Sequence, residues 1–462
     1  MAISNRFRRW IVPGLFGGSV FISAASACSD DGDDGDDDGG AEAGSGTGAR
    51  GGASGQGGSA GSRGGSAGAA GRAGEPGEGG APGGGGAPGG GGDDAGGAGG
   101  GPSVFRPELR PFTEERFAGL EVAEGFRIDV YAANLQHARM LGVHAEHVYL
   151  TRPMQGDVLR LVDADEDGVA ETTATAAAGF PMVHGIAFDA DTVYLATDKR
   201  VIRGSIDAEG NFTGLTDIID DLPDGGQHPL RTLGIGTDSM LYISVGSSCD
   251  ACPETNPEHA TMLRAALDGS TRTIFASGLR NTIGFDWHPD TGALWGMDHG
   301  SDFRGDDTPP EELNRIDATG NYGWPYCFAK RRVDPIIQDP PGTTKEAYCA
   351  ATLPSALENQ AHEAPIGMVF YDGTAFPEEY AGDAFVALHG SWNRFPPTGY
   401  KVARIRFDDG EPVAFEDFVT GFLIEDGEAE FGRPAGIAVA PDGALLFTDD
   451  DNGMIYRVSP EQ

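Results

Sequence analysis

The chain is short of positive charge: among 462 residues, 32 Lys and Arg stand against 71 Asp and Glu, a formal net charge of −39. That balance excludes nucleic acid as a partner, because displacing the counterions of a phosphate backbone requires a basic face. It equally excludes docking on an anionic membrane through a polybasic patch. Cysteine is scarce, five in all, and neither a second CxxC nor histidines at zinc spacing accompany Cys249 and Cys252, which argues against a zinc site. Long apolar stretches with a 3.6-residue period are missing, which argues against a helical body. Between Asp31 and Gly101 apolar runs and aromatics are absent and Gly, Ala and Ser dominate, so that segment cannot build a core. It is not the source of the acidity. The first 104 residues hold 12 acidic and 6 basic side chains, leaving 59 and 26 for the rest, whose net charge is −33.

What is present begins with an address. Arg6, Arg8 and Arg9 precede an apolar, small-residue run from Trp10 to Ala27, the pattern of a secretory signal over residues 1–27 rather than a membrane span. The run ends in Ala25-Ser26-Ala27-Cys28, which resembles a bacterial lipobox with Cys28 as the lipidated residue; cleavage after Ala27 that leaves a free thiol is the alternative. Residues 28–104 read as a disordered Gly/Asp-rich tether on which a domain stands off a membrane. The expected product is an exported bacterial lipoprotein of the outer membrane, periplasm or cell surface, touching the membrane only through its lipid. The other cysteines, Cys249, Cys252, Cys327 and Cys349, form an even set in an exported chain, and the expected disulfides are Cys249–Cys252 and Cys327–Cys349.

From Phe126 onward, short β-branched and aromatic runs alternate with turn clusters, among them Val148–Arg152, Val158–Val162, Leu241–Val245, Ala384–Leu388 and Val402–Phe407. A hairpin pattern recurs in HGIAFDADTVYLAT, LGIGTDSMLYISV, IGFDWHPDTGALWGM and AGIAVAPDGALLFTD: an apolar strand, an Asp-containing turn, a second strand. Such repeats are the inner strands of propeller blades. At roughly 60 residues per blade, residues 105–462 suggest an all-β, six-bladed propeller; a β-sandwich leaves the repeat unexplained.

Five segments in order, DGGQHPLRTLGIGTDSMLYISVGSSCDAC, ASGLRNTIGFDWHPDTGALWGMDHG, PPEELNRIDATGNYGWPYC, FVALHGSWNR and FGRPAGIAVAPDG, resemble the PQQ-dependent glucose/sorbosone dehydrogenase family from about Glu121 to Val458. The resemblance implies a propeller whose top face holds pyrroloquinoline quinone and Ca²⁺. It implies oxidation of a sugar hydroxyl or hydrated aldehyde by hydride transfer, with the electrons leaving to an unidentified acceptor. His228 matches the family's base, a role suited to neutral imidazole. Arg231, Arg280 and Arg433 match positions that bind the quinone's carboxylates, with Asn281 as a neutral donor beside Arg280. The chain departs from the family twice. A second arginine expected after Arg433 is replaced within Pro434-Ala435-Gly436, and a cofactor-contacting lysine has no counterpart, His389 or Arg394 standing there instead. Trp392 is placed to stack on the quinone or to pack in the core. The resemblance places the bridging Ca²⁺ on the backbone carbonyls of Gly300 and Ser301. Separately, Asp163-Ala-Asp165-Glu-Asp167-Gly168 opens like an EF-hand loop but has Ala174 at the twelfth position, and reads as an Asp-rich blade turn with room for a structural Ca²⁺. Two other readings stand beside the quinoprotein: a non-catalytic surface propeller binding carbohydrate or protein, and a calcium-dependent lactonase.

Overall fold

The computed structural model describes residues 104–223 and 226–461. The signal at 1–27, Cys28 and the tether up to residue 103 lie outside the described residues.

Six antiparallel sheets follow one another along the chain. Blade one is Leu141–His144, His147–Arg152, Asp157–Val162 and Thr172–Ala178; blade two is Gly185–Asp189, Thr192–Ala196, Val201–Ile206 and Phe212–Ile219. Blade three is Leu233–Ile235, Leu241–Val245, Thr261–Ala265 and Arg272–Ser277; blade four is Thr282–Trp287, Leu294–Asp298, Glu311–Arg315 and Leu357–Asn359. Blade five is Pro365–Phe370, Ala384–Leu388, Lys401–Asp408 and Glu411–Thr420, edged by Glu121–Val122. Blade six is Pro434–Val439, Leu445–Asp449 and Met454–Pro460, completed by the early strand Phe126–Ala132. That last pairing locks the two ends of the domain into one sheet. The four hairpins seen in the sequence are the inner two strands of blades two, three, four and six.

Burial follows from this stacking. A second strand is covered by the neighbouring blades on both faces, so Leu241–Val245, Leu294–Asp298, Ala384–Leu388 and Leu445–Asp449 are buried at every residue. An outer strand such as Thr172–Ala178 is mostly exposed, which lets it be a run of Thr and Ala. The largest core cluster gathers aromatics of blades five and six, including Phe126, Tyr371, Phe376, Phe385 and Phe418. Tyr371 stays satisfied there, its hydroxyl donating to Gly443 O at 2.8 Å and accepting from Phe376 N–H at 2.8 Å.

The inner strands meet closely around the central axis. A Cβ on Gly436 of blade six would lie 2.2 Å from Arg139 O, just before blade one, and one on Gly185 of blade two would lie 2.7 Å from Arg231 O, just before blade three. These are contacts with backbone, which cannot swing aside. Both expected disulfides form, Cys249–Cys252 in the loop after the second strand of blade three and Cys327–Cys349 in the long insertion of blade four.

Candidate functional site

Two sets of loops share one end of the propeller: those leading into each inner strand and those leaving each second strand. Almost every residue singled out in the sequence falls in one of these sets. His228 lies on the loop entering blade three and is half-buried. Its Nδ1 is 2.9 Å from Ser247 Oγ and 3.2 Å from Ser247 O. Ser247 Oγ donates its own proton to Cys249 O at 2.7 Å, so toward the imidazole it accepts. Nδ1 therefore carries the hydrogen and Nε2 keeps its lone pair. Burial, then the charge of Arg280 and the neighbouring His299, pushes the His228 pKa down to about 2, so the ring is neutral at physiological pH.

Three further histidines, each followed by glycine, gather within electrostatic reach. His184, before blade two, is fully buried, with Nδ1 3.2 Å from Arg231 O and Nε2 without a hydrogen-bond partner. His299, after the second strand of blade four, has Nε2 2.5 Å from Pro365 O. His389, at the same place in blade five, is 2.9 Å through Nε2 from Asp450 Oδ1, and the other oxygen of Asp450 accepts from Arg139 Nη1. Burial opposes ionisation of Asp450, but His389 and Arg139 together hold its pKa below the ordinary carboxylate range. Replacing Asp450 with Asn leaves Arg139 buried without its counter-charge. The expected loss is about 3 kcal/mol in chemical unfolding, with the His389 pKa moving further down in an NMR titration.

The arginines divide by what they already hold. Arg231 is fully buried and donates to His228 O at 2.7 Å and Pro223 O at 2.6 Å, so it braces the loop that carries the histidine. Arg280 is held by Asp250 Oδ1 at 2.9 Å and Asp302 Oδ2 at 3.3 Å, and Asp250 also accepts from Arg304 at 3.4 Å. Arg433 differs: its guanidinium donates only to the carbonyls of His389 and Gly390, both at 2.9 Å, lies 5.5 Å from the Tyr400 ring, and forms no ion pair among the described residues. Arg394 bonds Asp306 O at 2.6 Å and Asp307 Oδ1 at 2.9 Å, so its charge ties two loops of the rim together. Trp392 lies under Arg106 at 5.4 Å and edge-on to the half-exposed Phe303 at 5.7 Å, placing it in an aromatic rim.

Carboxylates at the ends of second strands order this end of the molecule, and motif reading did not single them out. Asp298 accepts from the N–H groups of Arg280 and Asn281 and from Thr282 Oγ1, at 2.8–2.9 Å. Asp449 accepts from Arg433 N–H at 3.0 Å. Thr151 Oγ1 and Ser244 Oγ receive the N–H groups of Met140 and Thr232 in the same way. A polar residue closing each repeated hairpin was the available signal. Beside Gly300 and Ser301 is a cavity of about 10 Å³, also lined by Asp298, Glu312 and Asp334, enough for one water or one ion. Gly300 N–H is held by Glu311 at 3.0 Å. The Asp163 loop lies elsewhere, between the outer strands of blade one; Asp163, Asp165, Asp167 and, at position nine, Glu171 group their oxygens within 4.8 Å.

Buried acids and buried histidines act on stability in opposite senses. Burial raises Glu311, Glu312 and Glu430 to about 8. Stability from groups raised in the fold is fully present below their unfolded pKa of about 4.3 and is lost as pH rises through 8. His184 and His299, depressed to about 3, contribute stability that is complete above about 6.5 and is lost as pH falls. Above pH 6.5 only the acid effect remains, so the melting temperature is expected to fall between pH 6.5 and 8.5 in a calorimetric series.

Comparison with known proteins agrees with this architecture. A family model described as TrAA12-like matches residues 120–461. An uncharacterised protein of Borreliella burgdorferi is 35% identical over 280 residues, which is 59% of this chain and 72% of that one. A pyrroloquinoline quinone-dependent sugar dehydrogenase of Hypocrea jecorina is 24% identical over 360 residues, 65% of this chain and 80% of it. Among solved structures, the calcium structure of the Trichoderma reesei carbohydrate-active enzyme of family AA12 superposes with a TM-score of 0.66 at 21% identity, covering 74% of this chain and 97% of that one. The holo form of the pyranose dehydrogenase PQQ domain from Coprinopsis cinerea gives 0.62 at 20% identity, covering 76% and 98%. At these identities the superpositions establish the propeller fold.

Proposed function

Because the chain belongs to the TrAA12-like family, we propose that it is an oxidoreductase that uses pyrroloquinoline quinone to oxidise the hydroxyl or hydrated aldehyde of a sugar. The observation that carries the proposal is His228: a neutral imidazole, fixed through Nδ1 on Ser247, with the Nε2 lone pair left to act. The residues also suit a flat tricarboxylate. The Arg433 guanidinium has neutral hydrogen-bond partners only among the described residues. Arg433 would hold a carboxylate of the quinone, with Arg139 and His389 beside it; Arg231 and Arg280 serve instead to shape the loops.

When bound, the quinone supplies a two-electron acceptor for hydride. The chain's part is to place the sugar and manage the proton. His228 Nε2 takes the hydroxyl proton as the C–H bond at the same carbon breaks, leaving a carbonyl. Ser247 O and Oγ stay on Nδ1–H and stabilise the imidazolium that forms. Calcium belongs to the same proposal. The ion would sit beside Gly300 and Ser301, where the small cavity is also lined by Asp298, Glu312 and Asp334, carboxylates of the hard-oxygen kind that Ca²⁺ prefers, and by Arg280. The aromatic rim of Phe303 and Trp392 suits the apolar face of a sugar ring.

Titrating the protein with quinone and Ca²⁺, followed by absorbance, and then assaying dye reduction with a panel of aldoses and sugar aldehydes tests the reading. Saturable uptake with turnover of at least one sugar is expected; no uptake removes it. Lipidation of Cys28 and a surface or outer-membrane location form a second part of the proposal. Radiolabelled palmitate should enter the wild type and not Cys28→Ser.

A further inference from the structure

Between blades six and one, on the same end as His228, lies a cavity of about 400 Å³ lined by Asn134, Gln136, His137, Gln155, Asp451 and Asn452. Every lining residue carries a hydrogen-bonding side chain. The four amides both donate and accept, as sugar hydroxyls do.

The cup is built rigidly. Leu135, in the middle of its first loop, is buried in the core between blades six and one. Its N–H donates to Gly453 O at 2.9 Å, and its carbonyl accepts from Arg152 Nη1 at 2.8 Å. Arg152 is in turn held by Asp157 at 2.6 and 2.8 Å. Around this pin, Asn134, Gln136 and His137 adopt φ values of 61°, 53° and 45°. Left-handed conformations at non-glycine residues persist only where the surroundings impose them, and they cluster at ligand clamps.

We propose that this cavity is a saccharide subsite that holds one neutral pyranose-sized ring of an oligosaccharide substrate; the proposal rests on the reading of the chain as a sugar oxidoreductase. The lining selects the chemistry. A single carboxylate, Asp451, is too little for a divalent cation, and it repels an anion on a domain that is already acidic. An apolar ligand would bury the amides without partners. A neutral polyol pairs with all of them. The cavity also adjoins the centre: Asp450 turns to His389 and Arg139, and Asp451, the next residue, lines the cup.

The test is calorimetric titration of the full chain, without added quinone, with neutral malto-, cello- and xylo-oligosaccharides and with the monosaccharides. Gln155→Leu removes one amide of the lining, and Asn134→Ala, at an exposed position, is a second variant that leaves the core untouched. One oligosaccharide series should bind more tightly than its monosaccharide. Both variants should weaken it at least tenfold while quinone uptake by absorbance is unchanged. In the loaded enzyme, KM for the oligosaccharide should rise with kcat constant. The subsite is overturned if none of the series binds or if wild type and both variants bind equally. Wild type that takes up quinone but ignores every oligosaccharide loses the subsite alone, whereas failure to take up quinone removes the functional reading.

Discussion

Substituting His228 with Ala is expected to lower kcat for sugar oxidation by about a thousandfold, within the range for loss of a general base, while quinone uptake persists. The imidazole is positioned by Ser247, and none of its hydrogen bonds runs to Arg433 or His389, where the cofactor would be held. Its removal therefore leaves those groups in place. Ser247→Ala separates placement from chemistry. The Nδ1 proton would keep one acceptor, Ser247 O at 3.2 Å, but lose the Oγ contact at 2.9 Å; a drop of roughly tenfold is expected, since a misoriented base still reacts. Because burial and the charge of Arg280 keep the histidine neutral down to about pH 2, the acid limb of the pH–rate profile should show no break near 6.5. Stopped-flow reduction of the bound quinone across pH 5 to 8 checks this. Unchanged turnover in His228→Ala would remove this residue from the mechanism.

Gly436→Val is expected to be the most damaging single change to the scaffold. Its first carbon alone would stand 2.2 Å from Arg139 O, 2.8 Å from Met140 Cα and 3.0 Å from Leu141 N. Blade six would have to move away from blade one, and overpacking against backbone costs about 3 kcal/mol. The damage also reaches function. Arg139 O accepts from Thr448 Oγ1 at 2.8 Å, and the Arg139 side chain holds Asp450, so shifting this strand releases His389 as well. Urea unfolding should show the midpoint falling, and quinone affinity should fall with it. A valine variant with wild-type stability and affinity would mean that the inner ring does not close as described.

The hairpin repeat was legible because a strand packed between two blades needs apolar residues at nearly every position, as Leu241–Val245 and Leu445–Asp449 have. Strands of blades one and five were read, but their inner hairpins were not seen as repeats: the turn of blade one, His144 to His147, is short and polar, and residues 371–383 separate the first two strands of blade five. His228 and Arg433 stood out because each sits in a local motif. Arg139 and Asp450 lie outside every motif quoted, and His184 and His299, although inside quoted segments, looked like ordinary polar residues beside a strand.

The sequence by itself determined that the body is β, that it has an even set of cysteines able to pair, and that its acidity belongs to the domain rather than the tether. Local pattern suffices for those, because strand burial and charge are written within a few residues of one another. Only the tertiary structure decided that Arg280 is held by acidic partners while Arg433 forms no ion pair among the described residues, and which histidines share a centre. Arg139 and Asp450 are separated by 311 positions and meet because the strand Phe126–Ala132 closes the ring against the last strand. A charge network assembled across that closure has no trace in either segment alone.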